Sequence, residues 1–408
     1  MKIDTGDTAW LLISTALVML MTPGLALFYG GMVRRKNVLG TIMQSFIALA
    51  IVSVQWVLFG YSLAFGPDVL HFIGNLKWIG LAGVGLEANP DYAPTVPHQA
   101  FMVFQMMFAV ITPALITGAF AERFKFSAYV VFVFLWSTFV YAPIAHWVWG
   151  IGGWIRNMGA IDFAGGLVVH VSSGVAALAA AFVIGKRKGH GHEPMAPHNM
   201  TMTLLGAAIL WFGWFGFNGG SAIASGALAT SAFVVTHIAA AAAALSWVGV
   251  EWAFRGKPTA LGAASGCVAG LVAITPASGF VGPLSAVLIG LGAGYVCYLG
   301  VNIKSRFGFD DSLDTVGIHG VGGAFGALAT GLFASTLVNP NGANGLLFGN
   351  PSLLPIQALS VIVAASYSFV VTWIILKSLQ QTIGLRVSLE EESDGLDLSQ
   401  HGESGYTF

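Results

Sequence analysis

Eleven apolar stretches, each long enough to cross about 30 Å of hydrocarbon at about 1.5 Å of helical rise per residue, follow one another through this 408-residue chain. They lie near residues 9–32, 41–64, 99–121, 127–149, 162–185, 200–221, 226–254, 260–278, 281–303, 313–335 and 354–378. With 56% hydrophobic and 9% charged residues and a mean hydropathy of +0.78, the chain reads as an all-α polytopic membrane protein and not as a soluble domain. The first run, Trp10 to Gly31, is too long and too weakly basic at its front for a cleaved signal peptide, so it counts as the first span. The eighth and ninth stretches are separated only by the turn signals Pro276, Gly279, Gly282 and Pro283. The 53 glycines suit closely packed transmembrane helices, and the net charge of -1 offers no basic surface to nucleic acid. Cys267 and Cys297, each alone in an apolar run, read as small buried hydrophobes.

Charge placement orients the spans. Of the 17 Lys and Arg residues, Lys2, Lys77 and Arg156 fall on one side and the remaining fourteen follow odd-numbered spans. The positive-inside rule then puts the N-terminus outside and the C-terminus in the cytoplasm. An echo runs through this pattern: Asp162 to His170 (DFAGGLVVH) and Asp311 to His319 (DSLDTVGIH) both set seven residues between an Asp and a His before a small-residue segment. The first copy enters span five from outside and the second enters span ten from the cytoplasm. A five-span unit repeated once must be inverted, because five is odd, and inverted repeats place a shared site near the midplane. The halves run over about 9–185 and 200–335, with helix eleven at about 354–378 outside the repeat. Each His lies eight residues, about 12 Å, deeper than its Asp, so the two imidazoles come within about 6 Å along the membrane normal.

Buried ionisable groups in a membrane are costly and mark a pathway, although a single histidine can also serve as hydrogen-bond glue between helices. Two imidazoles alone underfill a zinc site, and no HExxH or Cys pair accompanies them. A neutral pair can share one hydrogen and leave the outer nitrogens for a small polar solute. Asp162 and Asp311 begin their spans, where a carboxylate caps free amides; for Asp162, which faces outside, attraction of a cation is an equal alternative. Trp214, Phe217 and Ser221 recur at helical spacing in span six, and Phe104 and Phe108 in span three. With Trp149 at the outer end of span four they can hold a cation over ring faces, although Trp149 also suits the interfacial aromatic belt.

The blocks FQMMFAVITPALITGAFAERFKF (104–126), YAPIAHWVWG (141–150), DFAGGLVVHVSSG (162–174), WFGWFGFNGGSA (211–222), EWAFRGKP (251–258), GLVAITPASGF (270–280), GIHGVGG (317–323) and GLRVSLEEESDGLDLSQHGESGYTF (384–408) resemble, end to end and in order, the ammonium transporter family Amt/Mep/Rh, in its bacterial and archaeal Amt branch. The resemblance implies eleven helices in two inverted halves, a transmembrane domain over 1–385, a cytoplasmic regulatory tail over 386–408, and a homotrimer with one pore per subunit. It assigns Phe104, Trp149 and Ser221 to external ammonium recruitment and Phe108 and Phe217 to a stacked phenyl gate. It further assigns His170 and His319 to the twin histidines of the pore, with Trp214 beside them, and Asp162 to recruitment or deprotonation. The stretch from Trp149 to the Asp162 block is one residue longer than in the best-known bacterial pattern, and the chain begins where leader-bearing members begin once matured.

The expected function is transport, not enzymatic catalysis, of ammonium or ammonia, with methylammonium as analogue, across the cell (plasma or inner) membrane and without a cofactor. Taking a bare ammonium ion into a dry pore costs far more than ring contacts return, so deprotonation before the narrow part is favoured. No nucleophile, base and orienting group form a catalytic set. The acidic tail, with Glu390, Glu391, Glu392, Asp394, Asp397 and Glu403, taken alone is a solvated segment. The resemblance instead folds it on the cytoplasmic face, coupling subunits and meeting a PII signalling protein. The GHGHEP run (189–194) reads as a solvated loop. The alternative function is an ammonium receptor that signals through its tail and transports little.

Overall fold

The computed structural model describes residues 2–406 as a bundle of long helices. The helices are α1 (Thr5–Met32), α2 (Val38–Gln55, continued through Trp56–Gly60 and Tyr61–Phe65), α3 (His98–Phe120), α4 (Phe126–Trp136, continued through Ser137–Tyr141 and Ala142–Trp149), α5 (Gly166–Ile184), α6 (Met200–Ala222), α7 (Ala227–Arg255), α8 (Ala260–Ile274), α9 (Pro283–Phe307), α10 (Val316–Phe333) and α11 (Leu353–Thr382). Among the described residues ten of these are long and apolar enough to cross a membrane. The exception is α8, with 15 residues where the sequence suggests a span over 260–278. Its end is fixed by turns rather than by a chain break, since Ala277 N donates to Ile274 O and Phe280 N to Ala277 O.

Burial sorts the helices into layers. In α3, 94% of the most apolar window is buried, and 83% in α5, whereas α2 and α11 bury 33% each. So α3 and α5 form the centre, flanked by α1 and α6, which pack along each other, and by α8, which is held between α7 and α9. These contacts depend on small residues. A Cβ added to Gly206 in α6 would meet the Phe28 amide of α1 at 2.2 Å, so glycine sets the approach of that pair. Both cysteines are buried and free.

At the end of the bundle where Lys and Arg cluster, buried ions tie the loops. Arg187 donates to both oxygens of Asp310 at 2.9 Å, and Arg34 pairs with Glu122 at 2.7 Å. Arg123, fully buried, donates to the carbonyls of Ala119, Ala121, Gly185 and Asp310. Burial pushes the Asp310 carboxyl up, but the Arg187 hydrogen bond and the charges of Arg123 and Arg187 outweigh it and hold the group below the ordinary carboxylate range.

The acidic tail docks on the same end. Two short helices, α12 (Leu389–Asp394) and α13 (Leu396–His401), follow a capping box at Ser388 and Glu391. Glu392 accepts from the Lys188 amide at 2.6 Å and pairs with Arg386 at 2.6 Å; Asp397 accepts from the Gly40 amide at 2.8 Å. The solvated reading of this segment fails because Glu392 and Asp397 are buried against backbone donors, partners that net charge cannot reveal. His190 in the GHGHEP loop reaches Asp310 at 3.3 Å, and no metal-ligating cluster forms among the described residues.

Candidate functional site

Both halves of the echoed motif build the same local structure. Asp162 Oδ1 accepts the amides of Gly165 at 2.9 Å and Gly166 at 2.7 Å, and Oδ2 accepts Leu167 at 2.8 Å. Asp311 accepts the amides of Val316 at 2.8 Å and Thr315 at 3.2 Å. Each carboxylate thus neutralises the start of its helix, the capping role weighed for both from the sequence. The helix then opens with a widened π turn, Gly166–Val171 in α5 and Val316–Val321 in α10, and each π turn carries the histidine.

Glycines let these two turns cross almost backbone on backbone. A Cβ on Gly174 would lie 2.0 Å from Gly320 N, and one on Gly323 would lie 2.8 Å from His170 Cβ. The imidazoles meet there, with His170 Nδ1 and His319 Nδ1 3.2 Å apart and ring centroids at 5.3 Å. One Nδ1 must donate and the other accept, so the pair shares one hydrogen. His170 is 1% exposed, and its Nε2 is buried without a partner. Trp214 lies nearly parallel to His170 at 5.5 Å and is anchored by its indole N–H to Thr275 Oγ1 at 2.9 Å, a hydroxyl in the turn after α8 that the sequence did not single out.

A narrow chamber of about 10 Å³, space for about one water-sized molecule, is lined by His170, His319, Trp214 and Phe217 with apolar side chains such as Leu115 and Val268. Phe108 and Phe217 approach to 4.3 Å between centroids, and Phe217 lies 6.1 Å from His170. On the other side of the phenyl pair, an open cavity of about 210 Å³ is lined by Trp149 and Ser221, two of the residues expected at the recruitment site, by Phe108 of the expected gate, and also by Tyr92, Gln105 and Arg156. The Oε1 of Gln105 is buried and unpartnered, while Arg156 donates to Trp149 O at 2.6 Å. Tyr92 and Arg156 come from separate loop segments that no spacing rule links, whereas Gln105, three residues before Phe108 on α3, carries a helical spacing that the sequence reading did not use.

Two expected recruitment residues stand behind the cavity rather than in its wall. Phe104 is fully buried and meets Phe108 edge-on at 5.0 Å. Both oxygens of Asp162 face backbone amides, and its carbonyl accepts the Trp149 indole N–H at 2.9 Å. Phe104 backs one ring of the mouth and Asp162 anchors another.

An aromatic-lined cavity, a phenyl constriction and a narrow chamber with two imidazoles, set in a bundle of apolar helices long enough to cross a membrane, are the features of a membrane transport protein for a small polar solute. The sequence model of the Ammonium Transporter Family matches residues 9–406, and the chain belongs to that family. It is 54% identical over 402 residues to the ammonium transporter of Bacillus subtilis (strain 168), covering 98% of each chain. It is 52% identical to ammonium transporter Amt1 of Archaeoglobus fulgidus, over 98% of this chain and 99% of that one, so the Amt branch is the right one. The crystal structure of Saccharomyces cerevisiae Mep2 superposes with a TM-score of 0.89 at 38% identity, over 95% of this chain and 91% of that one. A Sensor Amt Protein of known structure superposes equally well at 31% identity, over 97% of this chain and 98% of that one.

Proposed function

We propose that this protein is an ammonium transporter of the cell (plasma or inner) membrane. It recruits ammonium at the cavity walled by Trp149, Phe108 and Ser221, where the ion gives its proton to water of the open cavity, and passes ammonia through the Phe108 and Phe217 gate into the histidine chamber. The observation that carries this reading is the His170–His319 pair, 3.2 Å apart in a chamber with space for about one water-sized molecule and one ring nitrogen facing it without a protein partner. A cation entering that chamber loses its hydration for a few neutral hydrogen-bond partners, whereas ammonia exchanges one donor and acceptor set for another. The mouth suits the opposite task, because ring faces, the Gln105 carbonyl and the Ser221 hydroxyl favour a cation at the water boundary.

Eleven crossings in two inverted five-helix halves complete the proposal, with α8 counted as a crossing extended by the turns after Ile274. The N-terminus then faces outside and the tail lies in the cytoplasm, where it couples the subunits of a homotrimer and meets a PII-type protein. The receptor reading is less well supported, since relatives at about half identity are named transporters and the Sensor Amt Protein is 31% identical. The test is ammonium and methylammonium flux into liposomes, against potassium, with and without a membrane potential. Replacing His170 and His319 together by alanine is expected to abolish selective flux, and unchanged selective flux would overturn the role of the pair. Dependence on potential reports whether the proton also crosses.

A further inference from the structure

His146 is fully buried at the outer end of α4, one turn before Trp149, and takes no part in the conduit. Both ring nitrogens face oxygen. Nδ1 lies 3.0 Å from the Ala64 carbonyl at the end of α2, and Nε2 lies 2.9 Å from Asp68 Oδ1. A carbonyl can only accept, and Asp68 also accepts the His71 amide at 3.1 Å through Oδ2, so both imidazole nitrogens must donate. Burial acts to raise the Asp68 carboxyl, but the His146 and His71 hydrogen bonds outweigh it and keep the carboxyl below its ordinary value. The charged and titratable groups that touch this contact are Asp68 and His71 from the hairpin, with Tyr92 close enough to feel the Asp68 charge and Arg156 held farther off on Trp149 O; α2 contributes the Ala64 carbonyl.

The same hairpin, Asp68–Val69 paired with Ile73–Gly74, holds the end of α4 at two further points. Phe72 O accepts the Trp147 indole N–H at 2.7 Å, and the Gly152 carbonyl lies 2.7 Å from His71 Nδ1. Glycines make the fit possible, since a Cβ on Gly150 would stand 2.5 Å from His146 Nδ1 and one on Gly152 would stand 2.6 Å from Asp68 Cβ.

We infer that His146 is a buried imidazolium clamped between Asp68 and the Ala64 carbonyl, and that this ion pair is a positioning device holding the end of α4 so that Trp149 faces the recruitment cavity. The role of Trp149 rests on the proposed transport function, but the protonation state of His146 does not. A hydrogen-bonded imidazolium fixes the ring from both edges, which neither neutral tautomer can do against two acceptors.

The full-length protein, labelled with ring nitrogen-15 histidine and reconstituted in lipid vesicles, is examined by solid-state NMR at neutral pH. The signal that disappears in His146→Gln is expected to report two protonated ring nitrogens in the wild type and one unprotonated nitrogen in Asp68→Asn. An unprotonated nitrogen on wild-type His146 would overturn the inference whatever the transport data say. In the same vesicles, Asp68→Asn is expected to raise the half-saturating external ammonium concentration about tenfold while leaving maximal flux within about twofold, because a cation–π contact is misplaced and the conduit is not. A loss of maximal flux with unchanged half-saturation would mean a merely structural role and would also overturn it. Absence of wild-type ammonium flux would instead count against the transport function and leave the NMR result standing.

Discussion

At the residue scale, the functional side chains are ordinary groups given unusual surroundings. His170 and His319 satisfy each other through Nδ1, so their remaining capacity points into the chamber. Gln105 presents a carbonyl oxygen to the mouth that no protein group engages, and an acceptor placed there has a measurable consequence. Gln105→Leu keeps the volume and removes the acceptor; it should raise the half-saturating ammonium concentration about tenfold, the worth of one hydrogen bond to a charged group. Flux measured against external ammonium checks this. The histidines were legible in the sequence because an ionisable group in an apolar run demands an explanation, whereas Gln105 was not, because a lone amide near a helix end has many bland explanations. Asp162 lay between these cases. Its spacing suggested a cap or a cation lure, and the backbone amides of Gly165, Gly166 and Leu167 account for both its oxygens.

At the element scale, the site depends on how closely α5 and α10 cross. Gly174→Val places branched carbons where the Gly320 backbone now lies, 2.0 Å from the position of a Cβ. It should separate the imidazoles, abolish selective flux and cost roughly 2 to 4 kcal/mol, as overpacking and backbone displacement do at their upper range. Thermal unfolding in detergent and liposome flux read the two effects separately. The charged loops at the basic end carry a second prediction. The folded-state Asp310 carboxyl is held below its unfolded value, so its stabilisation is fully present above about pH 4 and fades as pH falls through the folded value. Acid should lower the thermal midpoint of the wild type more than that of Asp310→Asn, which itself loses about 3 kcal/mol at neutral pH because buried Arg187 loses its two-point carboxylate partner and keeps only Glu122, 3.5 Å away.

At the scale of the whole molecule, the proposed orientation rests on where the Lys and Arg residues fall between the spans. Single cysteines placed in the 75–95 loop should react with an impermeant thiol reagent from outside intact cells, and cysteines at 398 or later only after the membrane is opened; the reverse pattern would invert the topology. The sequence alone determined that the chain is a bundle of apolar helices, because 1.5 Å per residue against a hydrocarbon layer leaves few other solutions. It also singled out the two histidines and the Amt branch, because burial of ionisable groups and whole blocks of residues leave traces in one dimension. The tertiary structure alone decided which groups close the mouth, that Phe104 and Asp162 support it from behind, that α8 is short, and which backbone amides hold the acidic tail. Those outcomes depend on distances between residues far apart in the chain, such as Asp397 and the Gly40 amide or His146 and Asp68, and no local period or composition encodes such distances.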